Sequence, residues 1–455
     1  KVLEVAATIG RDFTYEVLAR ASGKQEDSLI QALDELWRRR MIRERGKDRY
    51  DFSHDKLRQV AYSNMSPTLR RWMHKRVAEA LTDMSNRPPE AASAQIGWHY
   101  EQAGEVEAAI KWLHQAGEAA LKVGAFSDAV AYLTHALELT PTIDLAGQYA
   151  LLLTREKIYH LQSARAAQAL DLAKLDELAS ALDTGNPHSF FRKAQVAVEK
   201  GRYLSKTSDF SGAITMAQSV LSLLGQVKKR IKEEPLASEI SGWTAEIPQL
   251  EFEAYDLWGN SLAYQGNYRD AVAQEEIALR LARKTGLRCE EARALSSLAY
   301  SSDSIPAGKD HLVAALFIYR EMGDKPGECT CLEALGYAFL WVGDFDHSLD
   351  CYEESLQLSR QIGFRGGEVT ALFRLGHFYN QVGNYQQGKN YLEPALSMAR
   401  SDHDQRRVAY GLFNLSVSEN GMGKATLAKK YASEALSICQ KIGDHNGEIN
   451  AWVIL

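Results

Sequence analysis

The chain has 455 residues, with 53 Lys and Arg against 59 Asp and Glu, so its formal net charge is −6. A hydrophobic share of 45% and a charged share of 25% are typical of a globular protein and exclude a disordered or collagen-like chain. Proline is scarce: the chain has 10 prolines, where average usage of about 5% would give roughly 23. So few helix-breaking residues favour a helical protein. No apolar run approaches the roughly 18 residues that a membrane-spanning helix needs, so we expect a soluble, cytoplasmic protein with no membrane partner.

The sequence carries no pattern that indicates a catalytic or metal site. The 5 cysteines include no CxxC pair, and none of the 12 histidines lies four residues from another, so neither a zinc site nor a disulfide framework is predicted. The segment Gly383–Asn390 resembles a phosphate-binding loop in its spacing, but it ends in Asn instead of Ser or Thr and falls at the turn of a repeat. We therefore predict no enzyme activity, no metal and no cofactor for these residues.

Residues 1–85 are predicted to form a small winged-helix domain. Three helical patterns lie at residues 1–9, 15–21 and 26–40. They precede two segments with the alternating pattern of strands, at residues 41–44 and 50–53. The turn between the two strands contains Gly46, and a fourth helix is expected from about Asp55. Three helices followed by a β-hairpin are the layout of a winged helix.

The predicted wing is basic. Residues 1–85 contain 17 Lys and Arg against 13 Asp and Glu, a net charge of +4. Such a charge on a winged helix is the electrostatic footprint that nucleic-acid binding requires. The side chains that would contact a phosphate backbone are Arg43, Arg45, Lys47 and Arg49. The alternative is a solvated face, or an ion-pair partner of an acidic neighbour, and we favour it because charge runs more often serve that purpose.

Two further stretches, 86–142 and 143–225, are predicted to form helical repeats. In the first of them, the glycine pair Gly97 and Gly104 recurs as Gly117 and Gly124. The next segment, 226–248, lacks this periodicity and holds two prolines. We therefore predict a connector there between two helical arrays.

Residues 249–455 contain five repeats, each about 40 residues long. Their landmark positions are evenly spaced, apart from one shorter step after the second, and are Trp258, Leu298, Leu335, Leu375 and Leu415. In each repeat an apolar helix leads to a turn, usually at a glycine, because the residue after a helix often needs a positive φ, and a second helix follows. The repeat that contains Leu298 has lost three positions near Ser302, so a short first helix is expected in it.

A single helical hairpin cannot bury its own apolar face, so neighbouring repeats must stack. The predicted fold class is therefore all-α, an α-α superhelix, with the small winged-helix domain and its β-hairpin at the N-terminus. A further step of the same length from Leu415 ends at Leu455, which predicts the opening helix of a sixth unit over residues 448–455 and an array that continues beyond it.

The first helices of such stacked hairpins line a concave surface on which partners bind. Aromatic and amide side chains there suit an extended peptide or a protein surface, because flat rings give contact area at low entropy cost. The alternative is that the rings seal the packing between first helices, and the sequence leaves both open. The predicted groove residues are Asp256, Asn260, Tyr264, Arg293, Tyr300, Glu333, Tyr337, Trp341, Phe373, His377, Asn380, Tyr410 and Phe413.

The repeats resemble those of the tetratricopeptide-repeat (TPR) family, in a long form of about 40 residues. The likeness rests on Leu-Gly pairs, turn glycines and the aromatic residue after the turn, as in Leu335-Gly336, Leu375-Gly376, Gly266, Gly343, Gly383, Gly423, Tyr268, Phe345 and Tyr385. The proline that often closes a repeat of this family is missing from all five.

Residues 1–85 resemble the winged-helix module that follows the nucleotide-binding core in STAND-class signal-transduction ATPases. The segments that carry the likeness are LEVAATIGRDFTYEVLARASG, LIQALDELWRRRMIRE and YDFSHDKLRQVAY. The resemblance implies that His54 senses the β-phosphate of bound ADP, and that Asp55 orients His54 or caps the next helix. It also implies that an ATPase core, which binds ADP or ATP with Mg, precedes Lys1.

The two resemblances together imply the sensor part of a bacterial signalling ATPase. In that hypothesis the TPR array binds a protein or peptide inducer, the winged helix relays nucleotide state to the upstream NTPase domain, and activation leads to an oligomer. Two alternatives stay open. One is a transcription regulator that binds DNA through the basic winged helix, and the other is an assembly scaffold that does not switch.

Overall fold

The structure is a computed structural model that describes residues 1–46, 48–84, 90–123, 125–162, 164–233, 246–302, 305–402, 404–442 and 445–452. The chain forms two compact units, Lys1–Leu161 and Gln162–Leu455.

The first unit opens with helices and a small sheet. These elements are α1 (Val2–Ile9), β1 (Asp12–Thr14), α2 (Tyr15–Ser22), α3 (Glu26–Arg38), β2 (Ile42–Glu44), β3 (Arg49–Phe52) and α4 (Asp55–Ser63). The sheet is antiparallel in the order β1-β3-β2, with Phe13 opposite Tyr50 and Ile42 opposite Phe52. The predicted hairpin is confirmed as β2–β3. The additional strand β1 was not predicted, because a strand this short cannot show an alternating pattern.

Aromatic packing holds this small sheet to its helices. The Phe13 ring stacks on Tyr50 at 5.8 Å and meets Phe52 edge-on at 5.9 Å between ring centroids. Leu18 of α2 and Leu29 of α3 are fully buried in the same core. The sheet and the helices of residues 1–63 therefore share one apolar core, which fixes the position of the hairpin on the helices.

The rest of the first unit is helical. Its helices are α5 (Pro67–Asp83), α6 (Glu90–Ala103), α7 (Val106–Lys122), α8 (Phe126–Leu139) and α9 (Leu145–Leu161). Each of these helices packs against the next along the chain. Helices α6 to α8 thus belong to the same compact unit as the sheet and the helices that precede them.

The second unit begins with three long helices, α10 (Arg165–Ala181), α11 (Pro187–Lys206) and α12 (Phe210–Glu233). By length and composition alone, α12 could cross a membrane. The expectation that no segment is long and apolar enough for this is therefore wrong for α12. Its apolar residues recur at helical spacing and form one buried face, at Ala213, Ala217, Val220, Leu224 and Val227. That face packs against α11 and the helix after α12, as expected for a helix inside a solenoid.

The predicted connector is partly helical. Its first residues, up to Glu233, continue α12, because a charged helical stretch follows the apolar face without a break. The next helix already begins at Ile247. The part of the connector between them, 234–245, lies outside the described residues.

Helical pairs then follow one another to the end of the described chain. They are α13 (Ile247–Tyr264) with α14 (Tyr268–Thr285), α15 (Arg288–Ser301) with α16 (Ile305–Met322), α17 (Lys325–Trp341) with α18 (Phe345–Gln361), α19 (Arg365–Gln381) with α20 (Tyr385–Ser401), α21 (Gln405–Gly421) with α22 (Ala425–Ile442), and finally α23 (His445–Trp452). Helix α15 has 14 residues where α17, α19 and α21 each have 17, as expected from the shortened repeat. The predicted opening helix of a further unit corresponds to α23, and residues 453–455 lie outside the described range.

The turns inside these pairs depend on glycine. Gly343 follows α17 with a φ of 78°, and Gly383 follows α19 with a φ of 80°. A side chain at such a left-handed position would be strained, whereas glycine is not. The prediction that these turns need positive φ is confirmed.

Candidate functional site

The first helices of the pairs lie on the inner side of the second unit. Helix α15 contacts both α13 and α17, and α19 contacts both α17 and α21, so first helices of successive pairs touch one another. Rings on successive first helices approach with centroid distances of 6.4, 6.4 and 5.8 Å, in the pairs Tyr264–Tyr300, Tyr337–His377 and Phe373–Tyr410. Elements on the inside of a curved stack are the closest together, so these helices line the groove.

The N-terminal part of the groove holds an ion-pair network. Glu253 accepts from Arg202 at 2.6 Å and lies 2.7 Å from Arg293. Burial opposes the ionisation of Glu253, but these two guanidinium groups outweigh it and lower its pKa to about 2. Asp256 lies 3.5 Å from the same Arg293 and accepts from the Ser297 hydroxyl at 3.2 Å. The charges in this part of the groove are therefore already paired within the protein.

In the middle of the groove lies Arg374, a cation that contacts an aromatic ring. The Arg374 guanidinium lies 4.8 Å above the Tyr337 ring, a cation–π contact, and among the described residues no carboxylate pairs with it within 4 Å. The nearby Glu333 carboxyl accepts from Ser355 at 3.2 Å instead. Burial raises the pKa of Glu333 to about 7, so this carboxyl is partly protonated near neutral pH and offsets Arg374 only in part.

A cavity of about 470 Å³ opens beside Arg374. Its walls come from α14, α15, α16, α17 and α19, and they combine rings with small polar side chains. The lining residues include Tyr268, Ser296, Tyr300, Ser301, Tyr337, Trp341 and Arg374. A cavity of this size, with apolar walls and few polar groups, is typical of sites for small ligands or single peptide side chains.

Further basic side chains lie near the start of α21. Arg406 donates to the Ser208 hydroxyl at 3.0 Å, and its guanidinium lies over the rings of Phe210 and Tyr264 at 5.5 and 5.3 Å. Desolvation, and then the charges of neighbouring arginines that include Arg406, lower the pKa of Lys206. Basic and acidic side chains are close together in this part of the second unit, because Asp404 lies 3.7 Å from Arg407, the residue after Arg406.

The predicted groove residues divide into three classes. Tyr264, Tyr300 and Trp341 are exposed. Partly exposed residues are Asp256, Asn260, Arg293, Tyr337, His377, Tyr410 and Phe413. The remaining three, Glu333, Phe373 and Asn380, are buried.

Two of the buried residues hold helices together and do not offer a surface to a ligand. Asn380 donates to the Asn414 carbonyl at 2.9 Å and accepts from the Ser418 hydroxyl at 2.7 Å, which ties α19 to α21. The Phe373 ring is only 2% exposed, in the same interface. The interpretation of these two as groove residues is wrong. Both lie on the side of α19 that faces α21, and the contact between the two helices buries that side.

Four charged residues of the groove were not predicted from the sequence, namely Arg374, Arg202, Glu253 and Lys206. Arg374 occupies the position just before the landmark Leu375. The equivalent positions of the other repeats hold Leu257, Ser297, Ala334 and Asn414. An arginine at an otherwise small, apolar or uncharged position of a repeat was the signal that could have identified it.

In the first unit, the basic residues of the hairpin are largely paired with an internal acid. Asp51 is buried on β3 and lies 3.4 Å from Arg43 and 2.9 Å from Arg45. Arg49 is exposed, and Lys47 lies outside the described residues. Two of the four predicted nucleic-acid contacts thus neutralise a buried carboxylate of the sheet, which favours the structural alternative.

His54 and Asp55 lie at the start of α4. His54 occupies the N-cap position, but its side chain accepts no hydrogen bond from the helix and is exposed. Asp55 is the first helical residue, so it is not the N-cap, and its carboxylate lies 3.5 Å from Arg11. The imidazole therefore lies at the surface of the first unit, with no hydrogen-bond partner among the described residues.

Comparison with known proteins identifies one repeat directly. Residues 369–402, which cover most of α19 and all of α20, match the family model of the tetratricopeptide repeat. No curated protein sequence matches the chain.

The chain is also similar to several solved structures. One is a signal transduction ATPase with numerous domains (STAND) protein with a tetratricopeptide repeat sensor from Pyrococcus horikoshii, at 15% identity and a TM-score of 0.43, over 100% of this chain and 61% of that one. This chain thus spans less than two thirds of that protein's length. Another is the apo form of RapI, at 12% identity and a TM-score of 0.47, over 65% of this chain and 98% of that one.

A third is a Rap protein complexed with Competence and Sporulation Factor, at 13% identity and a TM-score of 0.46, over 76% of this chain and 95% of that one. The matched pair α19–α20 has the same register as its neighbours, because Leu375 lies midway in sequence between the landmarks Leu335 and Leu415. The chain therefore contains tetratricopeptide repeats, stacked as a helical solenoid.

Proposed function

We propose that the second unit is the sensor of a signalling protein and that the groove of its first helices binds a peptide or an extended segment of a protein. The proposal rests on the aromatic side chains that the first helices expose in the groove. Tyr300 and Trp341 are 65% and 63% exposed on first helices, beside a cavity lined by the Arg374 guanidinium, which has no carboxylate within 4 Å among the described residues. Exposed rings around a polar anchor are the composition of binding hot spots.

The test compares rings on the two kinds of helix. Phe317 on the second helix α16 is 68% exposed, so it matches Tyr300 in exposure but not in position. Short random peptides on an array provide the probe, and their binding to the labelled protein is measured. We expect Tyr300→Ala to weaken binding roughly tenfold, as for other aromatic anchors, while Phe317→Ala leaves it unchanged. Equal losses in both variants, or no peptide bound by the wild type, would contradict the proposal.

For the first unit, we propose that residues 1–85 act as a winged helix that relays the nucleotide state of an upstream ATPase core. The exposed imidazole of His54, which has no hydrogen-bond partner in the described ranges, supports this, because a histidine held at a helix start can donate a hydrogen bond to a phosphate oxygen. In this proposal ADP or ATP with Mg binds the core, and residues of the present chain perform no catalytic step.

The nucleotide-sensing proposal is tested in the protein that includes the core. We expect His54→Ala to weaken retention of ADP and to give activity without inducer, measured by nucleotide release and by output. The exposed Lys56, two residues further on, provides the matched control, and Lys56→Ala should retain ADP like the wild type. An ADP affinity unchanged by His54→Ala would rule out the assignment.

A further inference from the structure

The groove offers one site at which a ligand's charge can be inferred. This inference rests on the proposed function, since it names the chemical class of the peptide that the groove binds. The arginines of the groove differ in their partners. Arg202 and Arg293 are paired with Glu253, and Arg407 lies 3.7 Å from Asp404.

Arg374 differs from these three. It lines the cavity of about 470 Å³, stacks on Tyr337, and has no carboxylate within 4 Å among the residues that the structure describes. Its acidic neighbour, Glu333, is 7% exposed and hydrogen-bonded to Ser355. A planar guanidinium in a partly desolvated, ring-lined cavity favours a carboxylate, which it can bind through two parallel hydrogen bonds.

The surroundings indicate what accompanies that carboxylate. The rings of Tyr300, Tyr337 and Trp341 form the apolar walls of the cavity, and small hydroxyl side chains supply a few polar contacts. A carboxylate on the ligand offsets the charge of Arg374, so electrostatic complementarity favours a ligand that carries one.

We propose that the cavity beside Arg374 binds a carboxylate of an acidic peptide, with an adjacent apolar side chain packed against Tyr300 and Trp341. The carboxylate has two sources in a peptide, a free C-terminus or an Asp or Glu side chain, and both present the same two oxygens to the guanidinium. Peptides without a carboxylate leave Arg374 unpaired in the cavity, and the groove discriminates against them for that reason.

The experiment uses three arrays of short random peptides. The first has amidated C-termini and no Asp or Glu, the second has amidated C-termini and one Asp or Glu in each peptide, and the third has free C-termini and no Asp or Glu. The full chain is tested as wild type, as Arg374→Gln and Arg374→Lys, and as Arg280→Gln. Arg280 is the matched control, because it is exposed on the second helix α14 and pairs with Glu276 on the same helix, at 3.4 Å.

The wild type should bind the second or the third array, whichever carries the true source, roughly 10- to 100-fold more tightly than the first. Arg374→Gln should remove that preference, Arg374→Lys should retain part of it because the charge stays, and Arg280→Gln should behave as the wild type. If Arg374→Gln does not fold, as judged by its thermal unfolding, the reduced preference of Arg374→Lys decides instead.

Two results would overturn the inference in different ways. Equal binding to all three arrays, or a preference that survives in Arg374→Gln, would remove the carboxylate site while leaving peptide binding in the groove intact. Binding to none of the arrays would remove both the carboxylate site and the proposed function.

Discussion

At the scale of single residues, the repeats depend on glycines that let two helices approach. Gly336 is the glycine of the landmark pair Leu335-Gly336 on α17. A Cβ atom added there would lie 2.6 Å from a ring carbon of Tyr352 on α18, and that ring is fully buried. Because a buried ring cannot easily move aside, any side chain at this position must push the two helices apart.

We therefore expect Gly336→Ala to lower the free energy of unfolding by about 1–3 kcal/mol, as overpacking does in other cores. The control is Gly225, which is exposed within α12 and has no atom within 4 Å of an added Cβ. Gly225→Ala should raise the free energy of unfolding by about 0.5–1 kcal/mol, since alanine favours a helix over glycine. Urea unfolding followed by circular dichroism measures both changes. A Gly336→Ala variant as stable as the wild type would contradict the close approach.

At the scale of elements, three ion pairs each join a second helix to the first helix of the next pair. Such contacts, at 2.9, 2.7 and 2.8 Å, are Arg283–Glu291, Arg320–Glu328 and Arg360–Glu368. The spacing between these arginines along the chain is the same as the spacing between the landmarks Leu298, Leu335 and Leu375. The contact therefore recurs at the same position in three successive junctions between helical pairs.

The helical pairs could be predicted from the sequence because their determinants are local. Apolar spacing gives the helices, and a glycine such as Gly343 gives the turn between them. Strand β1 could not be predicted, since its residues become a strand only by pairing with β3. The continuation of α12 into the predicted connector, as far as Glu233, could not be predicted either, because the connector was recognised only by the loss of the repeat pattern.

The candidate site was predictable only in part, for a physical reason. Periodicity shows which helix face a residue lies on, and it placed Tyr300 and Trp341 on the first helices. It does not show which face meets the neighbouring helix, and so Phe373 was assigned to the groove although it is buried. Nor does periodicity show which charges are paired. Arg293 is paired with Glu253, whereas Arg374 has no carboxylate within 4 Å in the described part of the chain, and this difference depends on the three-dimensional arrangement of the acidic side chains.

At the scale of the second unit as a whole, the solenoid brings distant repeats together. Arg406 at the start of α21 reaches Ser208 at the turn between α11 and α12, 198 residues away in sequence. Its guanidinium also lies over Phe210 and over Tyr264 at the end of α13. A contact of this kind follows from the pitch of the helical stack, which depends on every repeat between the two ends.

The central claim is that a peptide binds on the first helices, and cross-linking from defined positions tests it most directly. A photoreactive benzoyl-phenylalanine replaces either Trp341, on the first helix α17, or Phe317, on the second helix α16, and both positions are exposed to a similar extent. After irradiation with an acidic peptide selected from the arrays, we predict a cross-linked product from position 341 and none from position 317. Cross-linking from position 317 alone, or equally from both positions, would contradict the account.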